Sequence, residues 1–204
     1  MTTIDHIVFD IGQVLIHWDP EIPYKKLIPN DEERSWFLEN VCTAQWNMEQ
    51  DRGRSWTDAE DILIAKHQEH ETNIRAYREY WPDMIPHNIP GTFQIMQSLV
   101  EAGHDVTMLT NFHQDTFVIA KDTYPLLDLP RGVTVSGEVK LIKPDQAIYE
   151  LHAREFELQP ENILFFDDST NNVEAARQAG WQAELFTSSE QMQSDLVSYG
   201  IWSQ

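Results

Sequence analysis

Apolar residues follow two rhythms along the chain, and the second half shows both in alternation. From Gly91 onward the pattern predicts a helix over Thr92–Glu101 ending at Gly103, then a strand at Val106–Leu109. A helix over Gln114–Asp122 leads through a Pro-rich turn to a strand at Val133–Val135. Next come a helix over Ala147–Phe156, a strand at Ile163–Phe166, a helix over Val173–Gln178 ending at Gly180, a short strand at Ala183–Phe186 and a helix over Glu190–Tyr199. Glycines just past helices and alternation at this length predict an α/β fold: a doubly wound parallel sheet covered on both faces. One more strand stands apart near the start, where Ile7, Val8 and Phe9 run into Asp10, followed by Ile11, Gly12, Gln13 and the apolar run Val14–Ile16.

Between Asp19 and Pro90 the strand rhythm vanishes and the chain reads as helices over Asp31–Cys42, Thr57–Glu69 and Thr72–Trp81. Pro29 and Asn30 introduce the first; Thr57, with Glu60 three residues on, gives the second a capping-box spacing. An all-helical block after the first strand of an α/β domain predicts an inserted helical cap at 19–90 over a core made of 1–18 and 91–204. Pro82, Pro86 and Pro90 mark the expected hinge. Of the seven tryptophans, Trp18, Trp36, Trp46, Trp56 and Trp81 fall in or beside this block. Large rings there serve either as the core of a small helical subdomain, the more economical reading, or as a water-excluding wall.

The polar residues that matter stand where strands end. Asp10 closes the first apolar run at the position where open α/β sheets place their ligands. Thr110 and Asn111 follow VTML, Lys143 precedes a helix, and Asp167 and Asp168 follow ILFF. Each has a bland alternative: Asp10 or Thr110 as a helix cap, Lys143 as a solvated loop lysine. Two adjacent carboxylates behind an apolar strand repel one another without a cation. Together the set is an inventory for phosphate and metal.

Bulk properties narrow the partners. A chain of 204 residues with 41% hydrophobic and 24% charged residues buries a sizeable core, and no stretch approaches a membrane span of ~20 apolar residues. The opening MTTIDH lacks the basic and apolar regions of a signal peptide, so a cytoplasmic protein is expected. A net charge of −20, with 14 Lys and Arg dispersed through the chain, argues against nucleic acid and against an anionic membrane. It also repels an anionic substrate, so any phosphate must be drawn in by a local lysine, helix N-termini and a divalent cation. The single cysteine, Cys42, has no basic neighbour in its segment and reads as a buried structural thiol.

The strings IVFDIGQVL, MLTNF, KPDQAIY and ILFFDDSTNNVEAA, in that order and with a helical block between the first two, resemble the haloacid dehalogenase-like hydrolases with a small helical cap. The closer resemblance is to their bacterial sugar-phosphate phosphatases, and it covers essentially the whole chain. It implies Asp10 as the nucleophile that becomes a transient aspartyl phosphate, and Mg²⁺ held by Asp10, the backbone carbonyl of Gly12 and Asp168, with Asp167 either a weaker ligand or a support behind the ligands. It further implies that Lys143, the Thr110 hydroxyl and the Asn111 backbone amide bind phosphate oxygens, and that the substrate is a small phosphorylated metabolite. Asn172 either supports the site or caps its helix.

One position departs from the superfamily pattern. Many of its phosphatases carry a second aspartate two residues after the nucleophile as general acid and base, and here that residue is Gly12. A placed acid/base group is worth roughly 10² to 10⁴ in rate. His17 and Asp19 are near enough in sequence to be considered for the proton, against a loop or hinge role. The same glycine keeps open a metal-independent 2-haloacid dehalogenase, whose relatives replace the acidic pair with serine-rich sequence, and a non-catalytic binding homologue. Gln45, Asn47, Glu49, Asp51 and Arg52, between the first two expected cap helices, either reach into the site or belong to solvated loop, the default for each.

Overall fold

A computed structural model describes residues 3–202. Its sheet has five parallel strands: β1 (His6–Phe9), β2 (Asp105–Thr110), β3 (Gly132–Val135), β4 (Ile163–Asp167) and β5 (Gln182–Leu185), in the order β3-β2-β1-β4-β5. The first strand is therefore central, its His6 paired with Asp105 on one side and Ile163 on the other. Chain order reverses about β1, which makes its C-terminal tip a topological switch point, the crevice where such sheets bind ligands.

Five α-helices make up the block that follows β1: α1 (Glu21–Leu27), α2 (Asp31–Asn40), α3 (Ala44–Asp51), α4 (Trp56–Lys66) and α5 (Glu71–Glu79). The remainder are α6 (Thr92–Glu101), α7 (Gln114–Thr123), the single turn α8 (Ser136–Val139), α9 (Gln146–Glu155), α10 (Thr170–Gln178) and α11 (Ser189–Ser198). No helix of the described residues is long and apolar enough to cross a membrane. Gly103 and Gly180 take φ of 87° and 90° just past α6 and α10, a left-handed exit that costs glycine nothing.

Side-chain alternation divides the sheet. Ile7, Phe9, Val106, Met108, Leu164 and Phe166 join one apolar cluster, which continues into the helices between β1 and α6. Val8, Leu109, Ile163 and Phe165 join the other, packed under α9 and α10 through Ile148, Tyr149 and Val173. Strands buried on both faces read as unbroken apolar runs, which is how HIVF and ILFF look in the sequence.

The helical block differs from the expectation in three ways. Two helices, α1 and α3, occupy stretches where no helix is expected; both are short, and their apolar positions are too few to set a period. The cap of α4 is Ser55, whose side chain accepts the Asp58 amide, rather than Thr57 with Glu60. Both spacings occur in the sequence, and Trp56 tipped the choice by packing inward at 3% exposure. Asn30 caps α2 as its position indicated, accepting from the Glu33 amide. Trp46, Trp56 and Tyr77 form the small core of the block, with ring centroids 5.1 to 6.1 Å apart. Trp36, by contrast, is 48% exposed.

Candidate active site

Asp10 continues the line of β1, its amide donating to the Phe166 carbonyl at 2.9 Å, and projects on the same face as His6 and Val8. Past it the chain turns tightly: the Ile11 carbonyl accepts from the amides of Leu15 and Ile16, and Gln13 takes a φ of 57°. Gly12 falls inside this turn. A Cβ there would meet nothing within 4 Å, so packing does not require the glycine.

Lys143, only 1% exposed, lies beneath the strand tips with its Nζ 2.9 Å from Asp10 Oδ1, 2.6 Å from Asp167 Oδ2 and 3.0 Å from the Leu109 carbonyl. All three ammonium protons are thereby engaged. Burial works against its charge, but Asp10 and Asp167 more than compensate and hold it above the ordinary lysine range. Asn111 fixes the lysine from behind, its Nδ2 donating to the Lys143 carbonyl and its Oδ1 accepting the Lys143 amide.

Asp167 is wholly buried and belongs to the lysine: besides Nζ it accepts from the Ser169 amide at 2.8 Å and from Asn172 Nδ2 at 3.0 Å. Asp168 is exposed and opens to the cleft. One carboxylate oxygen from each of Asp10, Asp167 and Asp168 lies within 4.8 Å of the others. Burial pushes Asp10 up to about 7, Lys143 pulling it back and Asp167 adding to the rise; burial and Asp167 raise Asp168 as well. Three carboxylates against one ammonium, two of them buried and Asp168 at the cleft surface, leave an excess of negative charge. The donors are all hard oxygens, the set that suits Mg²⁺ or Ca²⁺ rather than a softer metal.

A cleft of about 490 Å³ opens above, floored by Asp10, Gly12, Asn111 and Asp168. Trp18, Trp81, Phe112 and Met48 give it apolar walls, and α3 contributes Asn47 and Asp51. Thr110 lies under the floor with its hydroxyl buried and without a hydrogen-bond partner.

The family model for haloacid dehalogenase-like hydrolases matches residues 4–180, from β1 to the end of α10. The chain belongs to that family. Drimenol cyclase drtB of Aspergillus calidoustus is 32% identical over 200 residues, covering 94% of this chain but 36% of its own, so the hydrolase spans about a third of that relative. Among solved structures, the HAD family enzyme BT-2542 of Bacteroides thetaiotaomicron, in complex with magnesium and inorganic phosphate, superposes with a TM-score of 0.69 at 20% identity, over 91% of this chain and 95% of its own. L-2-Haloacid dehalogenase of Xanthobacter autotrophicus, with chloropropionic acid covalently bound, gives 0.66 at 18% over 98% and 85%. At these identities the structures establish a shared fold.

The hydrolase gathers the residues singled out in its sequence: Asp10, Asn111, Lys143, Asp167 and Asp168 all meet at the strand tips. Others belong elsewhere. His17 stacks on His87 at 4.8 Å where the helical block joins the sheet, and Asp19 accepts the Glu21 amide at the start of α1. Cys42 is buried, its thiol raised by burial. The assignment of residues 45–52 to loop is wrong for most of them, since α3 runs to Asp51 and turns Asn47 and Asp51 toward the cleft. Trp18 and Trp81 line the cleft as well as belonging to the block. No sequence signal separates those roles, because an apolar ring reads alike over a core or a cavity.

Proposed function

We propose that this hydrolase is a Mg²⁺-dependent phosphatase of a small phosphorylated metabolite, working through an aspartyl-phosphate on Asp10. The observation that carries the reading is the carboxylate cluster: Asp10, Asp167 and Asp168 exceed in charge the one ammonium set among them. A 2-haloacid dehalogenase running without metal has no use for that excess, whereas a divalent cation completes it. BT-2542, which shares the fold, holds magnesium and inorganic phosphate together.

Asp10, the Gly12 carbonyl and Asp168 would hold the ion, which when bound neutralises charge on the transferring phosphoryl group. The protein's own groups do the rest. Asp10 attacks phosphorus in line, splitting one slow hydrolysis into two displacements. Lys143 keeps the attacking carboxylate ionised and aimed by its contact at 2.9 Å. The unpartnered Thr110 hydroxyl and the Asn111 amide, at the tip of β2, would bind phosphate oxygens. The apolar walls exclude water, and helices 19–90 act as a cap over the strand ends. A buried, unpaired Cys42 suits the reducing cytoplasm.

The test is phosphate release from sugar phosphates, nucleotides and p-nitrophenyl phosphate, with Mg²⁺ and with EDTA. Turnover should require the metal and fall at least about 10⁴-fold in Asp10→Asn. Halide release from a 2-haloacid, unaffected by EDTA and with no phosphate released, would establish the dehalogenase instead.

A further inference from the structure

A phosphatase needs a proton for its leaving group, and the turn after β1 offers none at Gly12. His17 and Asp19 are committed to the hinge and to α1. Among the described residues, the titratable side chains that line the cleft are Asp10, Asp168 and Asp51. The first two belong to the cluster that receives phosphate and metal, and Lys143 has no free donor. The third arrives from the opposite side, on the last turn of α3.

We propose that Asp51, supplied by the helical block, is the general acid and base that replaces the missing second aspartate, an assignment that rests on the phosphatase reading. Its main chain is pinned to the core, because the Ser136 hydroxyl donates to the Asp51 carbonyl at 2.6 Å and also receives the Phe112 amide at 2.8 Å. Its side chain is steadied by Asn47, whose Nδ2 donates to Oδ2 at 3.0 Å. Two anchors at one residue fix a carboxyl in the lining of the cleft that Asp10 shares, as a donor to a leaving oxygen must be held.

The surroundings favour the acid form. Burial pushes the Asp51 carboxyl up to about 8, against a smaller pull from the His113 backbone amide. The ionisable groups packed about it are Tyr77 from α5, itself raised by burial and by Asp51, and His113 after β2, lowered by burial. Lys140 reaches the Gly53 carbonyl two residues on, and Asp10 and Asp168 face it across the cleft. None of these supplies a cation bonded to the Asp51 carboxylate, so at neutral pH it carries its proton.

The steps balance. As Asp10 Oδ bonds to phosphorus, the bond from phosphorus to the leaving oxygen breaks, and that oxygen takes the Asp51 proton to depart as an alcohol. The Asp51 carboxylate then removes a proton from water as the water oxygen attacks phosphorus. The bond to Asp10 breaks, free Asp10 and inorganic phosphate result, and Asp51 is again protonated.

The experiment compares two esters in the Mg²⁺-loaded enzyme: glycerol phosphate, whose alcohol needs a proton to leave, and dinitrophenyl phosphate, whose phenol does not. Asp51→Asn should cut first-turnover alcohol release by about 10² to 10⁴ while leaving first-turnover phenolate release within about threefold. In the unmodified enzyme, rate on glycerol phosphate should fall above about pH 8, and the limb should vanish with dinitrophenyl phosphate. That second readout needs no variant to fold. Equal losses on both esters, an alkaline limb common to both, or full alkyl activity in Asp51→Asn would each overturn the assignment. So would an unmodified enzyme that turns over the aryl ester alone, which would have no working donor. If the unmodified enzyme turns over neither ester, the phosphatase reading itself fails and the assignment with it; any activity that Asp10→Asn abolishes keeps the two failures apart.

Discussion

Two polar clusters share one face of the sheet, separated by three residues of β1, and they are balanced in opposite ways. His6 opens the strand in the first. Its Nε2 lies 2.7 Å from Thr107 Oγ1, which lies 2.9 Å from His152 Nε2, whose Nδ1 lies 2.8 Å from Thr134 Oγ1; His6 Nδ1 meets Asp105 at 2.9 Å. Apart from His6 Nδ1, which lies beside Asp105 without a hydrogen bond, every link finds its partner inside the protein, and burial lowers His152 to about 3, so the ring stays neutral. Asp10 extends the same strand into the second cluster, where three carboxylates share one ammonium. A buried network that is satisfied internally rigidifies a fold, whereas one left with surplus charge depends on something brought from outside. The first belongs to the scaffold, the second to the reaction.

The largest expected break in that contrast is Lys143→Met. It leaves Asp10 and Asp167 buried without a cation and should cost about 3–5 kcal/mol in urea unfolding at neutral pH with EDTA present. A cost too small to resolve would mean the carboxylates are already protonated and the charge excess is illusory. Next, His152→Ala opens a cavity and strands the Thr107 and Thr134 hydroxyls, a loss of about 2–4 kcal/mol that Mg²⁺ should not alter. Mg²⁺ at a hundredfold over its dissociation constant should raise stability by about 2.7 kcal/mol, seen as a higher melting temperature that Asp168→Asn abolishes. A shift that survives Asp168→Asn would place the ion elsewhere.

The smallest effect sharpens the contrast through its sign. In the metal-free protein Asp10 is raised from 3.8 to about 7, so its contribution favours the fold at low pH and is lost as pH rises through about 7. His152 is lowered from 6.5 to about 3, so its contribution is present above 6.5 and is lost as pH falls through about 3. Between those limits the two slopes oppose. Asp10→Asn should make stability climb more steeply with pH and His152→Gln less steeply, measured by denaturant midpoints from pH 4 to 7. Parallel changes in the two variants would refute the opposition.

Much of this architecture was legible because buried parallel strands write themselves as unbroken apolar runs. HIVF, VTML and ILFF end within a residue of where the strands do, and the cleft-facing polar residues, Asp10, Asn111 and Asp168, stand one or two positions past those runs. The helical block was less legible. Helices α1 and α3 are held by contacts made across the block, as Tyr24 is against Phe37 and Trp46 against Tyr77, and not by a period of their own. Asp51 therefore went unranked, since its place over the cleft depends on where Ser136 pins α3, 85 residues away in sequence. Asp168 is the aspartate the sequence points to for the metal, but the bond from Asp167 to Lys143 is not legible there, because two neighbouring aspartates look alike until the pleat turns one inward and the other out.

Gly12 occupies a turn where a side chain would touch nothing within 4 Å and where the backbone angle is open to any residue. Lineages can therefore gain or lose a carboxylate at this position without disturbing the scaffold that surrounds it. Two neighbouring catalytic designs are thus separated by a single codon, and such a step can be taken in either direction under selection for a new substrate.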